Sequence, residues 1–467
     1  MKKFLLTFIF ILLASPAWAA TYYLAPASAG GSDSNNGTSP STPWLTPNHS
    51  VNCGDILLAA AGNYPTFAFD WGTVSGCGTG SSANVAWVKC VTFDACKISS
   101  SSQHAVAINA SHWGLQGFEA TTTSAASAGC FIVVPPNSST SIHHVILANN
   151  IANGCQNGGF SAIYNGSAAT DYIVYVGNIA YNAAQQGPGC ASGFNIVNPH
   201  AFDSLSGTHM YESGNFSFSN VDGSNCGGSV ATDGEGFILD SIFTNGYTQQ
   251  MVIKNNIGIG NGGRCIEVYK NNSGSGAPTF VQNNTCWNNN VQLSQTPGGS
   301  LGEIFLYQSS NSSFARNLAM TGQANGPEGF PYYAYLLNTP SATNSVSGNA
   351  GYSATGTTYI SQYGSGFSFG SNLTANPAFP HPSVPGAPNC GSATSVPNCM
   401  ATVIADFAPS GTAAGFGYQA PSSGNVVDPL FPQWLCNVNL PPGLITMGCA
   451  SSSSLPAPPS SVTAIVK

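Results

Sequence analysis

The sequence predicts an all-β chain wound as a solenoid of stacked coils. Composition is the first sign. Only 6% of the 467 residues are charged, so Lys, Glu and Arg, which favour helices, are scarce, while Gly alone numbers 54. The second sign is repetition. Asn-centred units recur as ILANNIANG, YVGNIAYN, YESGNFSFSN, VIKNNIGIGNGG, FVQNNTCWNN and FARNLAMTG. Their markers Asn150, Asn178, Asn215, Asn256, Asn284 and Asn317 are spaced 28, 37, 41, 28 and 33 residues apart, the spacing of coils with loops of variable length. The third sign is the pattern inside each unit: a short alternating strand, Asn or Gly at a corner, then another short strand. Asn tolerates the left-handed backbone of a sharp corner, and stacked Asn side chains can hydrogen-bond from coil to coil.

Taken in order, the chain begins with Lys2 and Lys3, an apolar run from Phe4 to Leu13, and Ala17-Trp18-Ala19. These are the three parts of a secretory signal, which assigns residues 1–19 to it and starts the mature chain near Ala20. No later apolar run is long enough to span a bilayer, so a soluble protein in the periplasm or outside the cell is expected. Tyr22–Leu24 and Asp55–Ala59 read as strands, separated by a turn-rich Gly/Ser/Asn loop. The order YYLAP, GSDSNNGT, PWLTP, CGDILL and GNY over these residues resembles secreted right-handed parallel β-helix proteins, the pectate-lyase-like polysaccharide-degrading enzymes. That resemblance implies a right-handed parallel β-helix with an irregular C-terminal wrap. Residues 71–90 and 104–120 fit its first coils. The repeat weakens beyond about Gln323, and the Pro-rich segments SNLTANPAFPHPSVPG and NVVDPLFPQWL read as a wrap that covers the last coil. The expected organisation is therefore a β-helix domain over 20–450 and a Ser/Pro-rich tail over 451–467.

Fourteen Cys in an exported chain predict disulfides, with Cys390–Cys399 and Cys436–Cys449 as plausible short closures. No Cys-x-x-Cys or Cys/His spacing suggests zinc. There are 17 acidic and 9 basic residues, and Lys2 and Lys3 belong to the leader, which leaves 7 basic residues and a formal charge of −10. A nucleic-acid partner, which needs a basic face, is excluded. A monomer is expected. An acidic polymer would need a local cation to bind.

The charge is concentrated. Asp203, Glu212, Asp222, Asp233, Glu235, Asp240, Glu267 and Glu303 are eight of the 17 acids, and Lys254, Arg264 and Lys270 lie among them. The plain reading is a solvated face; the functional reading is an active site or metal cluster. One register aligns Glu235, Glu267 and Glu303 in a column beside aromatic residues. Another aligns Gly236 with Gly263 and pairs Asp240 with Glu267; a one-residue slip would flip the faces. Both keep Asp233, Glu235, Asp240, Arg264 and Glu267 on two neighbouring coils, and Ile253, Ile266 and Ile304 are expected to point inward. The candidate catalytic residues are Asp233, Glu235, Asp240, Arg264, Glu267 and Lys270. Phe237, Tyr269 and Glu303 are candidates for binding sugar.

Three activities fit, and a polysaccharide lyase is the one expected, with an inverting hydrolase or a non-catalytic solenoid as alternatives. A polysaccharide lyase would eliminate across a uronic-acid unit. It would use calcium held by Asp222, Asp233 and Glu235, with Arg264 or Lys270 as base or carboxylate clamp, an arrangement similar to calcium-dependent pectate lyases. An inverting hydrolase would use two acids on one face, although the Asp-Asp and Gly-His-Gly elements of β-helix polygalacturonases are absent. A binding or adhesive solenoid would use no chemistry. His143 and His144, adjacent on a strand, should point to opposite faces and share no ion. His200 and His209 are weaker acid–base candidates, and His104 and His112 are read as structural.

Overall fold

The computed structural model describes residues 19–438, apart from 70, 124–126, 187–189, 224, 228–230, 272–275, 293–300, 323–331, 339–342, 354–359, 364–366 and 421–427. The signal segment, Cys449 and the Ser/Pro-rich tail lie outside the described residues.

Short strands fall into three parallel sheets of 12, 11 and 10 strands. Each coil gives one strand to each sheet in the same order. In coil 1 these are Ile56–Ala59, Gly62–Tyr64 and Phe67–Ala68; in coil 10 they are Asn344–Val346, Ala350–Tyr352 and Ile360–Tyr363. The chain is thus a right-handed parallel β-helix, and its repeat continues well past Gln323. Inward residues of all three sheets form one apolar core that includes Ile253, Ile266 and Ile304, all fully buried as expected. On the third sheet Phe131, Phe160, Phe194 and Phe237 stack ring on ring, with centroids 4.8, 4.8 and 4.9 Å apart. Each such ring contributes roughly 1.5–3 kcal/mol by burial.

The Asn markers form a continuous ladder at the corner between the first and second sheets. The backbone N–H and the Nδ2 of Asn215 donate to Oδ1 of Asn256 (2.9 and 3.1 Å), and Asn256 donates likewise to Asn284 (2.9 and 3.0 Å). The same pattern runs from Asn150 to Asn317 and on through Asn349 to Asn372. Buried corner amides would otherwise lose their partners at about 1–3 kcal/mol each. The left-handed residue is the one before each ladder Asn from Asn150 to Asn349: Asn149, Gly177, Gly214, Asn255, Asn283, Arg316 and Gly348 have φ between 54° and 66°. A second ladder, Asn220–Asn261–Asn289, holds the corner between the second and third sheets.

Among the described residues the strands end at Thr374, and the wrap then runs back along the outer faces of two sheets, whereas it was expected to cover the last coil. Phe379, Val396, Met400, Phe407 and Tyr418 cover outward residues of the second sheet such as Ile179, Phe216 and Ile257. Phe431, Trp434 and Leu435 cover outward residues of the first sheet such as Ile146, Val174 and Tyr211. Lys254 pairs with Asp428 to fix this segment. Among the described residues the wrap leaves the outer face of the third sheet uncovered. Six disulfides between described residues close coils and loops, Cys390–Cys399 among them. Cys436 is disulfide-bonded as well.

Candidate functional site

The uncovered face carries the charge cluster. Strand Phe237–Asp240 (coil 6) pairs with Ile266–Tyr269 (coil 7) so that Phe237 faces Ile266, Ile238 faces Glu267 and Leu239 faces Val268. Beyond them Glu267 faces Phe305 and Tyr269 faces Tyr307. Neither expected register is the observed one. Glu235, Glu267 and Glu303 form no column, because Glu267 stands between Ile238 and Phe305. The alternative register is off by two residues, so it has the correct faces and the wrong partners. Ile238, Asp240, Glu267, Tyr269, Phe305 and Tyr307 point outward.

Ile238, Asp240, Glu267 and Tyr269 floor a cleft of about 360 Å³, lined by five of the expected site residues: Asp233, Asp240, Arg264, Glu267 and Tyr269. Thr232, Ile238, Ser241 and the Cys190–Cys226 disulfide complete it. The loop that brings Asp233 to the rim is built by Asp222. Its carboxylate accepts the backbone N–H of Cys226 (2.6 Å), Thr232 (2.9 Å) and Asp233 (3.2 Å).

Arg264 is only 3% exposed. Its Nη1 donates to Oε1 of Glu235 (3.1 Å) and Oε2 of Glu267 (2.8 Å), and its guanidinium lies 4.4 Å from the Phe305 ring centre. Glu235 sits behind it, fully buried, with Oε2 accepting from Ser192 Oγ at 2.7 Å. Two carboxylates thus compete for one guanidinium. Burial, then the charge of Glu267, pushes Glu235 up to about 8; burial pushes Glu267 up to about 7 against the pull of Arg264. Asp233 is held well above the usual carboxylate range by burial and by Glu235. Asp240, which accepts from Ser241 Oγ at 2.8 Å, is raised by burial. Lys270 is exposed at the rim, 4.8 Å from the Tyr269 ring centre, and its pKa is raised chiefly by its hydrogen bond to Tyr269. Tyr269 and Tyr307 stack at 5.0 Å, forming an aromatic strip beside the acids.

Three expectations fail on geometry. Phe237 cannot touch a sugar, because its ring lies in the core. Glu303 is fully buried; it accepts from the N–H (2.9 Å) and Nδ2 (2.6 Å) of Asn289 and from the Tyr332 hydroxyl, so it caps the second Asn ladder. Asp222, Asp233 and Glu235 do not converge on a calcium ion, which needs six to eight oxygen ligands. The oxygens of Asp222 and Glu235 are engaged elsewhere. Among the described residues no cluster of three candidate ligand atoms within 4.8 Å includes two carboxylates. His200 and His209 do not line the cleft; both ring nitrogens of His209 are used, on Asp171 and on the Leu205 carbonyl (2.9 Å each). Ser241 had a signal in the sequence, its place next to Asp240. The Cys190–Cys226 wall had none, since connectivity cannot be read from spacing.

No protein-family model and no curated protein matches this sequence. Among solved structures, the chain is similar in fold to a pectate lyase at 14% identity and TM-score 0.41, covering 87% of this chain and 91% of the other. It is similar to a lacto-N-biosidase from Eubacterium ramulus at 11% identity and TM-score 0.44, covering 75% and 68%. It is similar to the A-module of a mannuronan C-5 epimerase from Azotobacter vinelandii at 12% identity and TM-score 0.38, covering 69% and 91%.

Proposed function

We propose that the protein is an exported, carbohydrate-active enzyme that cleaves a polysaccharide laid across the open face of its third sheet. One observation carries this reading: outward carboxyls with raised pKa values, Asp233, Asp240 and Glu267, share a sugar-sized cleft with Tyr269, whose ring stacks on Tyr307. An aromatic face stacks on the apolar face of a sugar ring, and carboxyls poised near neutral pH exchange protons. The disulfides support export, and among the described residues no helix is long and apolar enough to cross a membrane.

Acid–base hydrolysis fits these groups best. Glu267, partly protonated near pH 7, gives its proton to the leaving glycosidic oxygen. Asp240 takes a proton from the water whose oxygen bonds to the anomeric carbon. Elimination on a uronate is the second reading, favoured by Lys270: exposed and charged beside Tyr269, it can neutralise the sugar carboxylate. Arg264 is a poor clamp for that carboxylate, because its guanidinium is already shared by Glu235 and Glu267.

One assay separates the readings. Neutral and acidic polysaccharides are incubated with the protein, and both reducing ends and ultraviolet absorbance are followed. Hydrolysis releases reducing ends alone; elimination adds the absorbance of an unsaturated sugar. If no polymer in a broad panel yields either signal, yet one is retained on an affinity gel, the enzyme reading is wrong and the face is a binding surface.

A further inference from the structure

Three histidines meet on the outer face of the first sheet, on a different sheet from the strands that floor the cleft and at least two coils from them. His112 immediately precedes strand Trp113–Gln116 of coil 3, and His143 and His144 lie on strand Ile142–Ala148 of coil 4. Simple alternation would send His143 and His144 to opposite faces. It fails here because His144 takes φ 56°, between the paired positions His143 opposite Asp171 and Val145 opposite Ile173. The left-handed residue turns the strand, and both rings emerge on the outside, with their Nδ1 atoms 2.8 Å apart. His112, itself at φ 65°, stacks on His144 at 4.9 Å and meets the His143 ring edge-on at 4.9 Å. One ring nitrogen from each of the three lies within 4.8 Å of the other two.

Two further observations point to a ligand. His112 Nδ1 lies 2.8 Å from the Asn84 carbonyl. Donation to that carbonyl fixes the tautomer and leaves Nε2 with its lone pair, the way metal-binding imidazoles are oriented. His144 is 3% exposed, and its Nε2 has no hydrogen-bond partner. A buried ring nitrogen without a partner is costly unless something else fills that place. Trp434 from the wrap closes one side at 4.8 Å from His144, and Phe202 lies 3.7 Å from the His143 ring centre. His112 and His143 are only partly buried, which leaves a way in.

We propose that His112, His143 and His144 form a three-imidazole site for one divalent transition-metal ion, zinc above all, with a fourth position open to solvent. Imidazole suits zinc, copper and nickel, whereas calcium and magnesium prefer oxygen. Three protein nitrogens and a water make the open tetrahedral arrangement of zinc. The ion would tie coils 3 and 4 together beside the wrap.

The test uses the full chain, stripped with a chelator and titrated with zinc by calorimetry and with cobalt by visible absorbance. One equivalent of zinc per chain is expected, with a rise in melting temperature and, for cobalt, the intense bands of a tetrahedral nitrogen site. His112→Gln and His143→Gln should each weaken zinc binding by more than the roughly 10–100-fold typical of losing an outer-shell partner. His381→Ala, whose ring is largely exposed, should bind as wild type does. Melting in chelator shows whether the variants fold; if they do not, the wild-type stoichiometry and cobalt spectrum decide. Uptake below one equivalent, a pale octahedral cobalt spectrum, or wild-type affinity in folded variants overturns the proposal.

Discussion

Glu212 should make this protein lose stability as the pH rises from acid to weakly alkaline, and replacing it should remove much of that loss. It lies on strand Thr208–Ser213, where it pairs in register between Tyr175 and Ile253, both inside the core. It is fully buried, and neither carboxyl oxygen nor the Tyr175 hydroxyl has a hydrogen-bond partner. Burial pushes its pKa from 4.5 up to about 8. A carboxyl whose folded pKa is raised favours the folded state fully below its unfolded pKa. That contribution is lost as pH climbs from 4.5 to about 8, because the unfolded chain gives up its proton first. Each pH unit in that window costs about 1.4 kcal/mol, so the whole loss is on the order of several kcal/mol. Glu212→Leu should therefore unfold at higher denaturant than wild type at pH 8, by several kcal/mol. At pH 5 only the unpaired polar group is relieved, and the gain shrinks to roughly 1–3 kcal/mol. Glu212→Gln should flatten the pH dependence without the gain at pH 5. Asp233, Glu235, Asp240, Glu267 and Glu303 are raised as well and tilt the wild type the same way, so the quantity to compare is the difference in slope. Chemical unfolding from pH 5 to 8 measures it; parallel profiles for wild type and both variants would refute the reasoning.

Other outcomes follow from the same geometry. Glu267→Gln and Asp240→Asn should each lower turnover by roughly a hundredfold or more while the fold survives, whereas Glu119→Ala, on the second sheet, should leave turnover unchanged; initial rates on the active polymer decide. Arg264→Ala should destabilise by about 3–5 kcal/mol, because it strands Glu235 and Glu267 in a buried place; a wild-type unfolding midpoint would count against that ion triad. Asn256→Ala should lower the unfolding midpoint strongly, since each buried group left unpaired at that corner costs about 1–3 kcal/mol. Calcium added to the chelator-stripped chain should change neither melting temperature nor rate; a calcium-dependent rate would favour elimination over hydrolysis.

Much of the fold was legible because the ladder is a chemical requirement at every coil. The six Asn markers are the ladder residues themselves, and their neighbours supply the left-handed corners. Inward Ile253, Ile266 and Ile304 were legible for the same reason: a core position repeats. The bend at His144 was not, because a left-handed residue within a strand leaves no mark in the hydrophobic pattern.

The site shows where periodicity stops informing. Between the same pairs of coils the Asn215–Asn256 step spans 41 residues and the Asn256–Asn284 step 28, yet on the third sheet Phe237 to Ile266 spans 29 and Ile266 to Ile304 spans 38. The corner marked by Asn fixes the first two sheets, while loops on the far side of the coil change length independently. Acids 32 and 36 residues apart therefore looked like one column and were not. What brought Asp233, Asp240 and Glu267 to one cleft is a loop pinned by Asp222 and an odd offset between coils, neither carried by the repeat. The wrap has the complementary role. By covering the first two sheets it leaves one broad face on which outward charge stays accessible, and that is the face where the acids lie. A solvated face would hold its carboxyls at ordinary pKa values. Here burial raises the carboxyls of Asp233, Asp240 and Glu267, and raised carboxyls that also line one cleft are candidates for acid–base chemistry, unlike Glu212 and Glu303, which are raised but enclosed.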